Sequence, residues 1–202
     1  MGKYKYNNLQ MAYRTNIKSG LVFLHGLGSN KETWQKQFEY FDPHHLVLAV
    51  DLLNHGISTN NVDIQIAPRL NAQIIDRLIL ERFQLPFIVI GHSVTAAVLV
   101  ELMLLKNPFI KGIVFLDCPV DSGPFMFSKC HDALQTINES QGSICIIEAE
   151  HGIGSNPDNS WAGYLRNAKY HLVNNADHNL HKSSSSEVNK LIGKFIKNTK
   201  LL

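Results

Sequence analysis

The chain has 202 residues, of which 45% are hydrophobic, and its formal net charge is +2. This composition predicts a globular protein with a sizeable core, and the length suits a single domain over residues 1–202. The balanced charge, without a run of four or more lysines or arginines, argues against nucleic acid as a partner.

The cysteines and the termini predict a cytoplasmic protein. Cys118, Cys130 and Cys145 are too few and odd in number for a disulfide framework, so we expect reduced thiols. The polar N-terminal residues lack the apolar stretch of a signal peptide. No segment has the roughly 20 consecutive apolar residues that a membrane span requires, so we expect none.

The predicted strands begin with a small hairpin at the sheet edge, since residues 4–6 and 9–14 flank the turn-forming pair Asn7-Asn8. Six apolar runs follow. They are continuous rather than alternating, which is typical of strands buried on both faces of a parallel sheet. These predicted strands are residues 21–24, 46–50, 87–90, 112–116, 144–147 and 170–173.

Helical patterns separate these strands. Residues 67–83 place apolar side chains at helical spacing, and residues 94–105 are almost wholly apolar, which indicates a buried helix. The full set of predicted helices is 31–40, 67–83, 94–105, 160–168 and 185–196. Alternation of strand and helix predicts an α/β protein with a mostly parallel, doubly wound sheet.

The main chemical signal is the sequence Gly91-His92-Ser93-Val94-Thr95, between an apolar strand and an apolar helix. This is the context of a nucleophile elbow, a sharp turn that exposes a serine at the sheet edge. Gly91 leaves room where strand and helix pack closely, whereas Thr95 occupies the place of the usual second glycine. The alternative is an ordinary serine in a strand–helix loop.

The glycine-rich loop His25-Gly26-Leu27-Gly28-Ser29 follows the first predicted parallel strand. In enzymes with a nucleophile elbow, this loop and the residue after the nucleophile donate backbone N–H groups to the oxyanion. We therefore assign the oxyanion hole to Leu27 and Val94, and we place His25 among the substrate-binding residues. A glycine-rich turn without chemistry is the alternative.

The general base is expected after the last predicted strand, where His178 stands. His181 is the alternative, whereas His171 lies within the strand and is expected to be structural. A zinc site formed by His178 and His181 is not favoured, because no cysteine or carboxylate cluster accompanies them. We expect no metal and no organic cofactor.

Two carboxylates are candidates for the acid that orients the histidine. Glu150 stands nearest the usual place, after the predicted strand 144–147, and Asp117 stands at the end of the predicted strand 112–116. Position alone favours Asp117, although a role for Asp117 in capping a turn is the alternative.

Several segments together resemble the small bacterial esterases and acyl-CoA thioesterases and the mitochondrial α/β-hydrolase-domain proteins related to them. The resemblance implies an α/β-hydrolase fold, with Asp117 as the triad acid and His178 as the base. The matching segments are residues 25–29, 50–58, 91–95, 117–121 and 175–181.

The chain also departs from that family. Thr95 replaces the elbow glycine, and Leu53 replaces an arginine of the segment 50–58. Residues 120–142 form only a minimal cap, where the relatives carry several helical segments. Because a short cap leaves apolar surface uncovered, a homodimer that closes the site is one expectation.

Together these residues predict a serine hydrolase that cleaves a small-molecule ester or thioester. Ser93 attacks the carbonyl, His178 transfers the proton, and Asp117 orients the imidazole. Phe125, Met126 and Phe127 are expected to line an acyl pocket or, equally, to pack the cap. The alternatives are a non-catalytic ligand-binding or regulatory protein on a hydrolase scaffold, and a cofactor-free haloperoxidase or lyase.

Overall fold

The computed structural model describes residues 2–6, 9–13, 17–58, 61–120, 143–154 and 160–199. The strands within these ranges join into a single sheet. They are β1 (Gly2–Tyr6), β2 (Leu9–Tyr13), β3 (Gly20–Leu24), β4 (Leu46–Val50), β5 (Phe87–His92), β6 (Ile110–Leu116), β7 (Ser143–His151) and β8 (Lys169–Asp177).

Within the same ranges, the helices lie between the parallel strands and after the last one. They are α1 (Gln35–Phe41), α2 (Ala67–Leu78), α3 (Ala96–Leu105), α4 (Leu180–Ser183) and α5 (Ser185–Asn198). Short helical turns extend three of them: a 3₁₀ turn at Lys31–Trp34 leads into α1, a π turn at Ile79–Phe83 ends α2, and a 3₁₀ turn at Ser93–Thr95 leads into α3.

The strand order is β1-β2-β4-β3-β5-β6-β7-β8. Strands β3 to β8 are parallel, whereas β1 and β2 form an antiparallel hairpin at the edge. The predicted hairpin and the predicted mostly parallel, doubly wound sheet are both confirmed. The chain reverses direction across the sheet between β4 and β5, and the loops after β3 and β5 therefore meet at the carboxyl edge, where such sheets bind ligands.

The core has two layers, one on each face of the sheet. On one face, Val22 and Val89 of the central strands pack with α2 and with Leu99 of α3. On the other face, Phe23 and Ile90 pack with α1 and α5. Strands β3 and β5 are therefore buried along their whole length, which is why their sequences are continuously apolar.

One sequence prediction differs from the structure. The segment predicted as helix 160–168 forms only a 3₁₀ turn at Trp161–Gly163. Trp161 and Leu165 are buried one helical turn apart, which produced the helical pattern, whereas Gly163 lowers the helix propensity between them. The predicted helix 67–83, by contrast, is helical throughout, as α2 followed by its π turn, and Gln84 ends it with a left-handed φ of 49°.

Some predictions concern residues outside the described ranges. Phe125, Met126, Phe127 and Cys130 are among them, as is nearly all of the predicted cap 120–142. Cys118 and Cys145 are buried free thiols. Among the described residues, no helix has both the length and the apolar character needed to cross a membrane.

Candidate active site

The turn at Ser93 has the geometry of a nucleophile elbow. Ser93 follows β5 directly and adopts a left-handed φ of 62°, which is rare for a residue other than glycine. Gly91 has no room for a side chain, since a Cβ there would lie 2.7 Å from the Thr95 hydroxyl oxygen. That hydroxyl donates a hydrogen bond to the carbonyl oxygen of His92 at 2.8 Å, so the threonine fits inside the turn.

Three side chains form a hydrogen-bonded chain at the carboxyl edge of the sheet. The Oγ of Ser93 lies 3.0 Å from Nε2 of His178, and Nδ1 of His178 lies 2.5 Å from Oδ2 of Asp117. Ser93 is 5% exposed, and the His178 side chain is 29% exposed. These residues follow three different strands, β5, β8 and β6, which the fold brings to one edge.

Asp117 is completely buried and accepts hydrogen bonds at both carboxylate oxygens. The N–H of Ala149 donates to Oδ1 at 3.1 Å, and the N–H of Ile153 donates to Oδ2 at 3.0 Å. A side chain at Gly152 would overlap the carboxylate, so the chain passes close to it there.

The environment of Asp117 favours its ionised form. Burial by itself raises the pKa of this carboxyl, but the hydrogen bonds from His178, Ala149 and Ile153 outweigh burial and lower the pKa overall. An ionised Asp117 only accepts, so Nδ1–H of His178 donates to it. Nε2 then carries a lone pair that faces the Ser93 hydroxyl.

Glu150, the other candidate acid, lies elsewhere. It is exposed near the end of β7, and its Oε2 accepts a hydrogen bond from the N–H of Asn175 at 2.7 Å. The carboxylate in contact with His178 is that of Asp117. His181 is also separate from Ser93, because it is buried and its Nε2 pairs with the Thr33 hydroxyl at 2.8 Å.

His25 lies in the core and supports the glycine-rich loop. Its Nδ1 donates to the carbonyl oxygen of Gly26 at 2.9 Å, and its Nε2 accepts from the N–H of Leu52 at 3.1 Å. Burial lowers the pKa of His25 and favours the neutral ring. Both ring nitrogens are therefore used by the backbone, and the ring supports the loop; a contact of His25 with substrate stays a prediction.

The two residues assigned to the oxyanion hole lie at the same edge of the sheet. Leu27 belongs to the loop after β3, and its side chain is 63% exposed. Val94 follows Ser93 in the 3₁₀ turn that leads into α3. Strands β3 and β5 are neighbours, with Leu24 opposite Gly91, so the loop that contains Leu27 borders the turn that contains Ser93 and Val94.

The segment 50–58 has a structural role that the sequence did not reveal. Buried Asp51 accepts hydrogen bonds from the backbone N–H and the ammonium group of Lys31, both at 2.7 Å. The Ser58 hydroxyl donates to the carbonyl oxygen of Asp51 at 2.6 Å. Gly56, with a φ of 55°, packs against the Asp51 carboxylate. These contacts fold the loop after β4 and attach it to the start of the helical turn before α1.

The sequence also predicted no role for His92. It is buried, and its Nε2 donates to the carbonyl oxygen of His178 at 2.8 Å. Its position beside the serine was the only signal available in the sequence. Within the ranges described above, no group of three or more His, Cys, Asp or Glu side chains is arranged to hold a metal ion.

Comparison with known proteins identifies the family. The model of the alpha/beta hydrolase family matches residues 21–144, more than half of the chain, so the chain belongs to this family. A curated relative, (E)-2-((N-methylformamido)methylene)succinate hydrolase of Acinetobacter baylyi, is 46% identical over 39 residues. That match spans 19% of this chain and only 15% of the relative's length.

Solved structures support the same fold over nearly the whole chain. A serine hydrolase from Cycloclasticus zankles superposes with a TM-score of 0.78 at 15% identity, covering 98% of each chain. The thioesterase domain from the curacin biosynthetic pathway superposes with a TM-score of 0.75 at 14% identity, covering 92% of this chain and 94% of that one. At these identities the likeness concerns the fold, and it confirms the α/β-hydrolase architecture expected from the sequence.

Proposed function

We propose that this member of the alpha/beta hydrolase family is a serine hydrolase that cleaves carboxylic ester or thioester bonds through an acyl-enzyme. The observation that carries the proposal is the hydrogen-bonded chain from Ser93 through His178 to Asp117. A serine in a strained turn, a histidine with a free lone pair and a buried carboxylate behind it are the parts of an activated nucleophile.

In the first half of the reaction, Oγ of Ser93 attacks the substrate carbonyl while Nε2 of His178 takes the hydroxyl proton. The resulting imidazolium is stabilised by ionised Asp117, and the N–H groups of Leu27 and Val94 bind the oxyanion. The tetrahedral intermediate then collapses. The alcohol or thiol leaves with the proton from His178, and the acyl group stays on Ser93.

In the second half, a water molecule attacks the acyl-enzyme while His178 takes its proton. Collapse of the second intermediate releases the carboxylic acid and returns the proton to Ser93. The partly exposed ring of His178 supports this step, because solvent reaches the base. These steps use the side chains and backbone of the chain with water as the only co-reactant.

The test is turnover and covalent labelling of Ser93→Ala, with Ser186→Ala as the matched control. Ser186 lies exposed on α5, away from the site. Hydrolysis of p-nitrophenyl acetate is expected to fall by about 10⁴-fold or more in Ser93→Ala and to stay unchanged in Ser186→Ala. A fluorophosphonate probe is expected to label the wild type on the peptide that contains Ser93.

Two results would contradict the proposal. The first is labelling or turnover that persists in Ser93→Ala. The second is a folded wild-type protein that neither hydrolyses esters and thioesters nor reacts with the probe. The second result would favour a non-catalytic ligand-binding protein on the hydrolase scaffold.

A further inference from the structure

The His92 ring contacts the residue proposed as the general base in two ways. Its Nε2–H donates to the backbone carbonyl oxygen of His178 at 2.8 Å. Its ring also packs against the His178 ring, with centroids 4.5 Å apart and planes tilted by 32°. The first contact fixes the backbone after β8, and the second limits the rotation of the imidazole.

His92 is itself held firmly from the other sides. The His181 ring lies 4.5 Å from it, and Trp34 lies edge-on at 6.4 Å. A Cβ at Gly26 would come within 3.0 Å of Nδ1 of His92, so the glycine-rich loop passes directly against the ring. One buried ring therefore borders the loop assigned to the oxyanion hole, the turn of the nucleophile and the histidine base.

The charge state of His92 suits this place. Burial, followed by the neighbouring His178 ring, lowers the pKa of His92 to about 4, although the hydrogen bond to the His178 carbonyl and, less strongly, Asp117 act in the opposite direction. His181, on its other face, also has a lowered pKa because of burial. His92 is therefore neutral near pH 7 and adds no like charge beside an imidazolium at His178.

We propose that His92 is a positioning residue, which holds the backbone and ring of His178 so that the imidazole reaches both Ser93 and Asp117. This inference rests on the proposed function. His178 begins the loop between β8 and α4, where the strand no longer fixes its direction. A displacement of about 1 Å at a catalytic group lowers a rate by roughly 100-fold, so this support has a kinetic consequence.

Two variants separate the hydrogen bond from the ring. His92→Phe keeps an aromatic ring and removes the donor, whereas His92→Gln keeps an N–H donor and removes the ring. We expect kcat to fall by about 10- to 100-fold in His92→Phe with KM nearly unchanged, and to return to within about fivefold of wild type in His92→Gln. His171→Gln, a substitution on β8 away from the site, is the control.

A spectroscopic readout tests positioning without turnover. The Nδ1–H proton of His178, held by Asp117, is followed by low-field proton NMR. We expect its resonance to shift or broaden in His92→Phe and to remain in His92→Gln and His171→Gln. If the wild type proves inactive, the proposed function fails, yet an altered resonance in folded His92→Phe still supports the orienting contact, and an unchanged one overturns it.

Kinetic results decide the matter if the wild type is active. A folded His92→Phe variant with kcat within threefold of wild type overturns the proposal. So does an equal loss of kcat in both variants together with an unchanged NMR resonance, because that pattern shows a general loss of packing. Selective loss in His92→Phe with recovery in His92→Gln supports it.

Discussion

Replacing Asp117 with asparagine is expected to remove the proposed catalysis while leaving most of the shape of the site. The carboxylate accepts from Ala149 at Oδ1 and from Ile153 and His178 at Oδ2. An asparagine presents one oxygen and one NH₂ group to the same three donors. Neither orientation of the amide satisfies all of them.

The two orientations have different consequences. If the NH₂ group takes the place of Oδ1, it faces the N–H of Ala149, and a buried donor is left unpaired. If it takes the place of Oδ2, it faces Ile153, and His178 must accept at Nδ1. His178 then carries its proton on Nε2, towards Ser93, and cannot act as a base. The wrong tautomer lowers kcat by about 10⁴-fold in a well-studied triad enzyme, and an unpaired buried donor costs about 1–3 kcal/mol.

The assay combines turnover with stability. We expect kcat for p-nitrophenyl acetate to fall by about 10³- to 10⁴-fold in Asp117→Asn, with a loss of about 1–3 kcal/mol in the free energy of unfolding in urea. Glu150→Gln is the control, because this exposed side chain keeps an oxygen for the N–H of Asn175. Retention of more than a tenth of kcat in Asp117→Asn, or a crippling effect of Glu150→Gln, would refute the reasoning.

Three further predictions concern the histidines and the acyl pocket. His178→Ala should abolish ester turnover. His181→Ala should leave kcat within about tenfold of wild type but lower the free energy of unfolding by about 2–4 kcal/mol, because the His181 ring is buried. Loss of turnover in folded His181→Ala alone would mean that the base is wrongly assigned. Burial lowers the pKa of His92 and His181, so below about pH 6.5 the unfolded chain binds more protons than the folded protein. The free energy of unfolding in urea should therefore fall by about 2 kcal/mol per histidine between pH 8 and pH 5. A flat profile would contradict this. In a series of p-nitrophenyl esters, kcat/KM should change little with acyl length, because the minimal cap expected from the sequence leaves little surface to bury an added methylene, which gains about 0.8 kcal/mol only where it is buried. A steep rise towards long chains would instead show a deep apolar pocket.

The sequence determined the features that depend on neighbouring residues. The continuous apolar runs predicted the parallel strands, since a strand buried on both faces has no polar side to display. The pair Asn7-Asn8 predicted the hairpin, and Gly91-His92-Ser93 between a strand and a helix predicted the elbow. The local pattern gave a wrong prediction at residues 160–168, where a single 3₁₀ turn is enough to bury both Trp161 and Leu165.

Only the tertiary structure decided which side chains meet. Asp117 follows β6 and Glu150 lies near the end of the neighbouring β7, and it is the buried Asp117 carboxylate that meets His178, 61 residues away. The long-range contacts of His25 and His92 cannot be read from neighbouring residues, because their partners, Leu52 and His178, lie 27 and 86 residues along the chain. Such contacts depend on strand order and on the packing of separate loops, which no short window of sequence contains.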